Sequence, residues 1–376
     1  MKYIFLIAAF NALFFAVLLI QKKHKRLHDN ILTYWLIYLG LFMATQVFLS
    51  SDLIIKKQLL SNILISMFML HGPFLYMYIT ALTTKKYNLS KSDLLHFVPP
   101  AGFIVYLLFS FMFPQYSDRI NMNHVSNDIE PPLPFVIFLI LTALSGPVYF
   151  VLSVNLFRKL DINIFNNFSY SEDIDLDWLR KLVYIFGIVW SALMIIAIIH
   201  HVFKLYSMVF CTDGLFLSLS IFILLIGYFG LRQKEIFNNL NDERGDFIKD
   251  TPIKYVGLTL KEADIDYYIK KIKHHMINEK PYLISNLTLP QLAANLEIPS
   301  HHLSKVINEN FENNFFDFIN QYRIEEVKTK LADPKFKNFS LLGIALDSGF
   351  NSKSAFNRVF KKMTGLTPSK YKEMTL

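Results

Sequence analysis

Apolar residues come in long, nearly unbroken runs before residue 232 and in short helical stripes after it. Seven runs, roughly 3–20, 31–49, 59–82, 94–113, 133–157, 182–202 and 215–231, each approach the ~20 residues that cross a bilayer at 1.5 Å per residue. Backbone groups in lipid must pair within their own segment, so each run is read as a helix. Pro99–Pro100 near the start of the fourth run and Gly146–Pro147 inside the fifth predict kinks rather than breaks. Beyond the last run the pattern changes. Residues 232–258, with Asn238, Asn239, Asn241, Asp242, Glu243 and Arg244, read as a polar linker. Ile265, Tyr268, Ile269, Ile272 and Met276 then mark one face of an amphipathic helix over 261–278. That face either packs on the C-terminal helices or pairs with a second copy, and its basic side (Lys270, Lys271, Lys273, His274) meets lipid headgroups or water.

Two helix-turn-helix patterns come next. In 288–310, Thr288 and Gln291 form a capping box, Pro290 sits in the first turn, and Leu289, Leu292, Ala293 and Leu296 share the core face. After a turn at 297–299, Leu303, Val306 and Ile307 point inward, leaving His301, His302, Ser304, Lys305 and Asn308 outward. A connecting helix over 315–331 carries Phe316, Ile324, Val327 and Leu331 on one side. In 340–363, Leu341, Ile344 and Ala345 form a buried face and Gly349 supplies the positive φ of a sharp turn. The next helix is capped by Asn351 or Ser352 and turns Phe356, Val359, Phe360 and Met363 inward. Its other face presents Lys353, Ser354, Asn357, Arg358, Lys361 and Lys362: cations and hydrogen-bonding side chains with no acid among them. Such a face suits the major groove of DNA. The competing interpretation is a solvated basic surface.

Composition sharpens the division. Of 376 residues 53% are hydrophobic and 15% aromatic, with 36 Phe, while only 18% are charged, which is too apolar for an ordinary soluble domain. The net charge of +8 matters less than its placement. Lys22, Lys23, Lys25, Arg26, Lys85, Lys86, Lys91, Arg158, Lys159, Arg180 and Lys181 fall in loops on one side of a seven-span arrangement. Only Lys2, Lys56, Lys57, Arg119 and Lys204 fall on the other. The excess predicts an outside N-terminus and a cytoplasmic C-terminal region. The first run is expected to be a retained helix, because its positive cluster comes after the apolar core and no small-x-small cleavage site appears. A single Cys211 excludes a disulfide framework and a cysteine-rich metal site.

His71, His96 and the His200–His201 pair are the ionisable side chains in or near the apolar runs. Helix packing is the favoured reading over a ligand, metal or proton site. His301 and His302 make a poor zinc pair, since adjacent helical residues diverge by about 100° and no cysteine joins them. No catalytic constellation, cofactor motif or metal site emerges, so an enzyme is not expected.

The run GFNSKSAFNRVFKKMTGLTPSKY resembles the C-terminal signature of the AraC/XylS family of bacterial transcription regulators, and the likeness covers roughly 283–371. The resemblance implies two helix-turn-helix units held by a long helix about one DNA turn, near 34 Å, apart. It places Lys353, Ser354, Asn357 and Arg358 at base edges and gives Arg323, in NQYRIEEV, a structural role. Where that family has Ser or Thr before Pro at the first recognition helix, this chain has Pro299 before Ser300.

The expected architecture is therefore all-α: a polytopic membrane bundle of seven spans (1–231), a cytoplasmic linker (232–258) and an AraC-type double helix-turn-helix domain (259–376). The expected function is a multi-pass inner-membrane transcription regulator whose membrane region senses a signal or anchors the reader. Its partners are double-stranded DNA, the lipid bilayer and RNA polymerase. A homodimer, proteolytic release and a small-molecule, lipid or protein signal stay open. The alternative is a membrane enzyme or transporter whose helix-turn-helix domain only docks a protein.

Overall fold

The computed structural model describes residues 1–49, 57–83, 90–113, 120, 132–172, 174–203, 208–233 and 261–375. Among them it is helical, with one isolated antiparallel bridge between Phe168 and Thr288 and no named strand. Two compact units divide the chain: residues 1–157 with 176–241, and residues 158–175 with 242–376. The expected linker falls largely outside the described residues, as do the side chains of His200, His201 and Cys211.

The first unit holds α1 (Lys2–Gln21), α2 (Leu27–Leu49), α3 (Lys57–Phe68), α4 (His71–Thr83), α5 (Lys91–Leu94), α6 (Val98–Met112), most of α7 (Leu133–Asn167), α8 (Asp177–Phe203) and α9 (Met208–Arg232). Six helical segments among the described residues are long and apolar enough to cross a membrane: 2–21, 27–49, 60–83, 91–112, 133–167 and 213–232. The remaining predicted run lies within α8.

α1 is packed inside out for water. It buries Ala8, Ala9, Ala12 and Ala16 and turns Tyr3 (79% exposed), Ile7 and Phe10 (67%) outward. Small residues let two backbones approach, and Gly40 of α2 completes the fit, since a Cβ there would stand 2.9 Å from Leu13. Large apolar groups facing outward are unfavourable in water and neutral in hydrocarbon. The interior is aromatic, with Trp35, Phe42, Tyr78 and Phe216 fully buried.

The two proline sites behave differently. α7 continues unbroken through Pro147. Pro99 and Pro100 lie instead in the first turn of α6, after a 3₁₀ turn at Leu95–Phe97, where their missing N–H groups cost nothing. α7 also outruns its apolar stretch by about three turns, with Leu160 and Ile164 buried in the second unit.

That second unit contains α10 (Glu262–Asn278), α11 (Leu289–Asn295), α12 (Ser300–Asn310), α13 (Phe315–Ala332), α14 (Leu341–Asp347), α15 (Lys353–Thr364) and α16 (Pro368–Thr375). α13 is its spine. Phe315, Phe318 and Ile319 join one core with α10, α11 and α12, so the apolar face of α10 packs on this domain. Phe316, Ile324, Val327 and Leu331 join a second core with α14 and α15. Between the cores lies Arg323, only 1% exposed.

Candidate nucleic-acid interface

The two recognition helices start differently. The Thr288–Gln291 capping box forms as the sequence predicts: Thr288 N–H donates to Gln291 Oε1 (3.0 Å) and Gln291 N–H to Thr288 Oγ1 (3.4 Å). Glu297 takes a left-handed φ of 51° in the turn, and Pro299 then precedes α12 without any side-chain cap. His301 is exposed, His302 is half-buried, and Lys305 is 14% exposed beside Glu309 (3.8 Å). Burial, more than the neighbouring His301, holds the His302 ring below the usual imidazole value. Ser304 departs from expectation: it is 5% exposed and its hydroxyl accepts from Asn308 Nδ2 at 3.4 Å, so it lies under the surface that would meet DNA.

In the second motif Ser340 Oγ accepts from Gly343 N–H and Ser352 Oγ from Ala355 N–H, settling the cap of α15 on Ser352. Gly349 has φ +93°, and a Cβ there would collide with the Tyr282 carbonyl and stand 2.9 Å from Arg323 Nε. Lys330 anchors the end of α14, donating to Asp347 Oδ2 (2.6 Å) and to its carbonyl (2.9 Å). α15 buries Ala355, Phe356, Val359 and Phe360, ending at Gly365 in the left-handed conformation. All six outward residues, Lys353, Ser354, Asn357, Arg358, Lys361 and Lys362, are exposed on one face.

Two of those cations are already engaged. Lys362 Nζ donates to both oxygens of Asp317 on α13 (2.7 and 2.9 Å). Arg358 Nη2 donates to Ser171 Oγ at 2.7 Å and lies 3.6 Å from Glu172. Ser171 and Glu172 belong to the segment between α7 and α8, and nothing in the sequence pattern singles them out. Their neighbours enter more deeply. The Ser169 carbonyl accepts from Arg323 Nη1 (2.8 Å) and Asn320 Nδ2 (3.1 Å), and its hydroxyl accepts from Arg323 Nη2 (2.9 Å). Ser169 N–H donates to the Leu287 carbonyl at 3.1 Å, and Phe165 meets Phe316 edge-on.

Arg323 also donates to the carbonyls of Tyr282 (2.8 Å) and Ile284 (2.8 Å), so its fork joins the 281–285 turn, α13 and the 169 segment. Burial pulls its pKa down to about 9, with Glu172 pulling the other way, and the guanidinium stays charged at neutral pH. Its structural role is as the sequence suggested. Its partner in residues 168–172 is invisible there, because polar residues between two apolar runs read simply as a loop.

Residues 292–374 match a family model described as a helix-turn-helix domain. Similar curated proteins include uncharacterised HTH-type transcriptional regulators of Staphylococcus aureus strains COL, MSSA476 and N315. Each is 34% identical over 87 residues, which is 23% of this chain and 11% of the relative. The chain thus spans about a tenth of the length of the curated relatives it matches. No solved structure matches. The C-terminal part carries a helix-turn-helix domain of the AraC type, as the resemblance implied.

Proposed function

We propose that this chain is a membrane-anchored, sequence-specific DNA-binding transcription regulator. The observation that carries the reading is the face of α15, where six cationic or hydrogen-bonding side chains stand exposed opposite a fully apolar stripe. Lys361 and Lys362 neutralise phosphates, whereas Lys353, Ser354, Asn357 and Arg358 reach base edges. α12 adds His301, His302 and Lys305 as a weaker second reader.

The inverted packing of α1 and the six membrane-length segments support an anchored first half. With α8 as a further span, seven crossings and the loop charges put the N-terminus outside and the reader in the cytoplasm. RNA polymerase and a second copy are the expected protein partners. The 168–172 segment suggests how a membrane event reaches DNA. It is continuous with α7 and nearly so with α8, and it occupies Arg358, so a shift in those helices changes whether Arg358 is available.

The test is DNA binding by the full-length protein in nanodiscs, on sites recovered by genome-wide crosslinking. Arg358→Ala should weaken operator binding by about 1–3 kcal/mol if Arg358 makes a bidentate base contact. Unchanged affinity, with the fold intact, would retire the assignment of Arg358 to a base edge.

A further inference from the structure

Inside the first unit a cavity of about 200 Å³ is lined by Trp35, His71, Tyr149, Phe150, Trp190 and Phe222, among others, and, among the described residues, by no Asp, Glu, Lys or Arg. A dry apolar cavity of ~150 Å³ suffices for benzene, and drug-sized sites run to ~300–1,000 Å³, so this one suits a molecule of one or two rings. Tyr149 and the serines of its wall are hydrogen-bonded, but part of its polar equipment is unspent. Among the described residues, the indole nitrogens of Trp35 and Trp190 and both ring nitrogens of His71 are buried without a hydrogen-bond partner. His71 is boxed by the rings of Phe42 (4.9 Å), Tyr38 (5.3 Å), Phe68 (5.9 Å) and Trp190 (6.4 Å). Gly146 keeps the wall open, since a Cβ there would stand 2.9 Å from Trp190 Nε1. Buried donors left unpaired carry a desolvation penalty that a ligand with matching acceptors removes.

We propose that this cavity binds an uncharged, membrane-soluble ring compound bearing carbonyl oxygens, which accept from the indole N–H groups of Trp35 and Trp190 and from a ring N–H of His71. Two indole donors call for acceptors on the ligand. With no Asp, Glu, Lys or Arg among the described lining residues, an uncharged ligand fits better than an ionised one, and the aromatic walls favour a flat ring. The proposal deepens the sensing reading above and rests on it for its biological meaning, although binding itself is tested separately.

The chain has 3 Trp residues, which gives the experiment an internal control. Trp178 Nε1 already donates to Gln233 Oε1 at 2.8 Å. Full-length protein carrying ¹⁵N-indole tryptophan is placed in phosphatidylcholine nanodiscs and titrated with menadione, then with 2-methylnaphthalene, which keeps the rings and lacks the carbonyls. Menadione should move the Trp35 and Trp190 indole N–H signals saturably and leave Trp178 in place, while 2-methylnaphthalene binds at least tenfold more weakly. Gly146→Ala should weaken menadione at least tenfold; should that variant lose its spectrum, the two-compound comparison in the wild type decides alone. Equal effects of both compounds, movement of all three signals, or no saturable change would overturn the proposal. Operator affinity of the same sample with and without menadione separates the two claims: binding that leaves DNA affinity unchanged refutes sensing through this cavity, not the cavity's ligand class.

Discussion

The Arg358 contact with the 171–172 segment makes a quantitative prediction. If Arg358 must leave Ser171 and Glu172 to reach DNA, removing those two side chains should tighten binding. Arg358 is 57% exposed and Glu172 24%, and their separation is 3.6 Å, so the ion pair is solvent-screened and worth about 0.2–1 kcal/mol. The 2.7 Å hydrogen bond to Ser171 adds about 0.5–1.5 kcal/mol. Together Ser171→Ala and Glu172→Ala should contribute about 1–2 kcal/mol, or roughly 5- to 30-fold in Kd. The assay is fluorescence anisotropy on labelled operator DNA with the full-length protein in nanodiscs, at 50 and 200 mM salt. In an Arg358→Ala background the same pair of substitutions should do nothing, because the group they release is gone. Unchanged or weaker binding by the double variant, with Arg358→Ala still impaired, would refute the idea that this segment holds Arg358 off DNA.

Other expectations are briefer. Gly349→Ala should cost at least ~2 kcal/mol, combining left-handed strain with a collision at the Tyr282 carbonyl, and thermal unfolding should show it. Thr288→Ala should cost about 1 kcal/mol by removing half of a capping box, measurable by chemical denaturation. Lys361→Ala should weaken all duplexes alike and flatten the salt slope by about one unit. For Glu326, burial pushes the carboxyl up, but hydrogen bonds from Lys280 and Tyr282 and the charges of Lys280 and Lys330 outweigh it and hold it below the usual value. The folded state therefore binds fewer protons at that carboxylate than the unfolded one. The resulting stability is present above the ordinary carboxylate pKa and fades as pH falls through the depressed one. Glu326→Gln should flatten that acid limb in denaturation measured between pH 6 and pH 3.

How local a feature's causes are decides whether residues alone reveal it. Capping at Thr288, the turn at Gly349 and the inner stripe of α15 depend on neighbours within a few positions and are legible, whereas the cap of α15 is narrowed only to Asn351 or Ser352 until the structure picks Ser352. The depth of Ser304 is not legible. Its helical phase leans outward from the Leu303, Val306 and Ile307 face, yet it is 5% exposed, a consequence of packing that the residue pattern does not carry. The prolines at 99 and 100 mislead for a related reason. Hydropathy averages over a run, whereas the helix start is fixed locally by the Ser90–Asp93 capping box and the 3₁₀ turn after it.

Least legible is the joint at Arg323, whose acceptors on Ser169 stand 154 positions away in sequence. A buried guanidinium must satisfy five N–H groups, and the 281–285 turn and Asn320 cannot supply every acceptor without Ser169. Excising the C-terminal residues alone therefore removes the two Ser169 acceptors and leaves part of the buried Arg323 fork without a partner, although its bonds to the 281–285 turn remain. The same segment meets α15 directly through Arg358, which donates to Ser171 Oγ. Residues 168–172 thus bear on both Arg323 and Arg358, so substitutions there should be read out at both groups together.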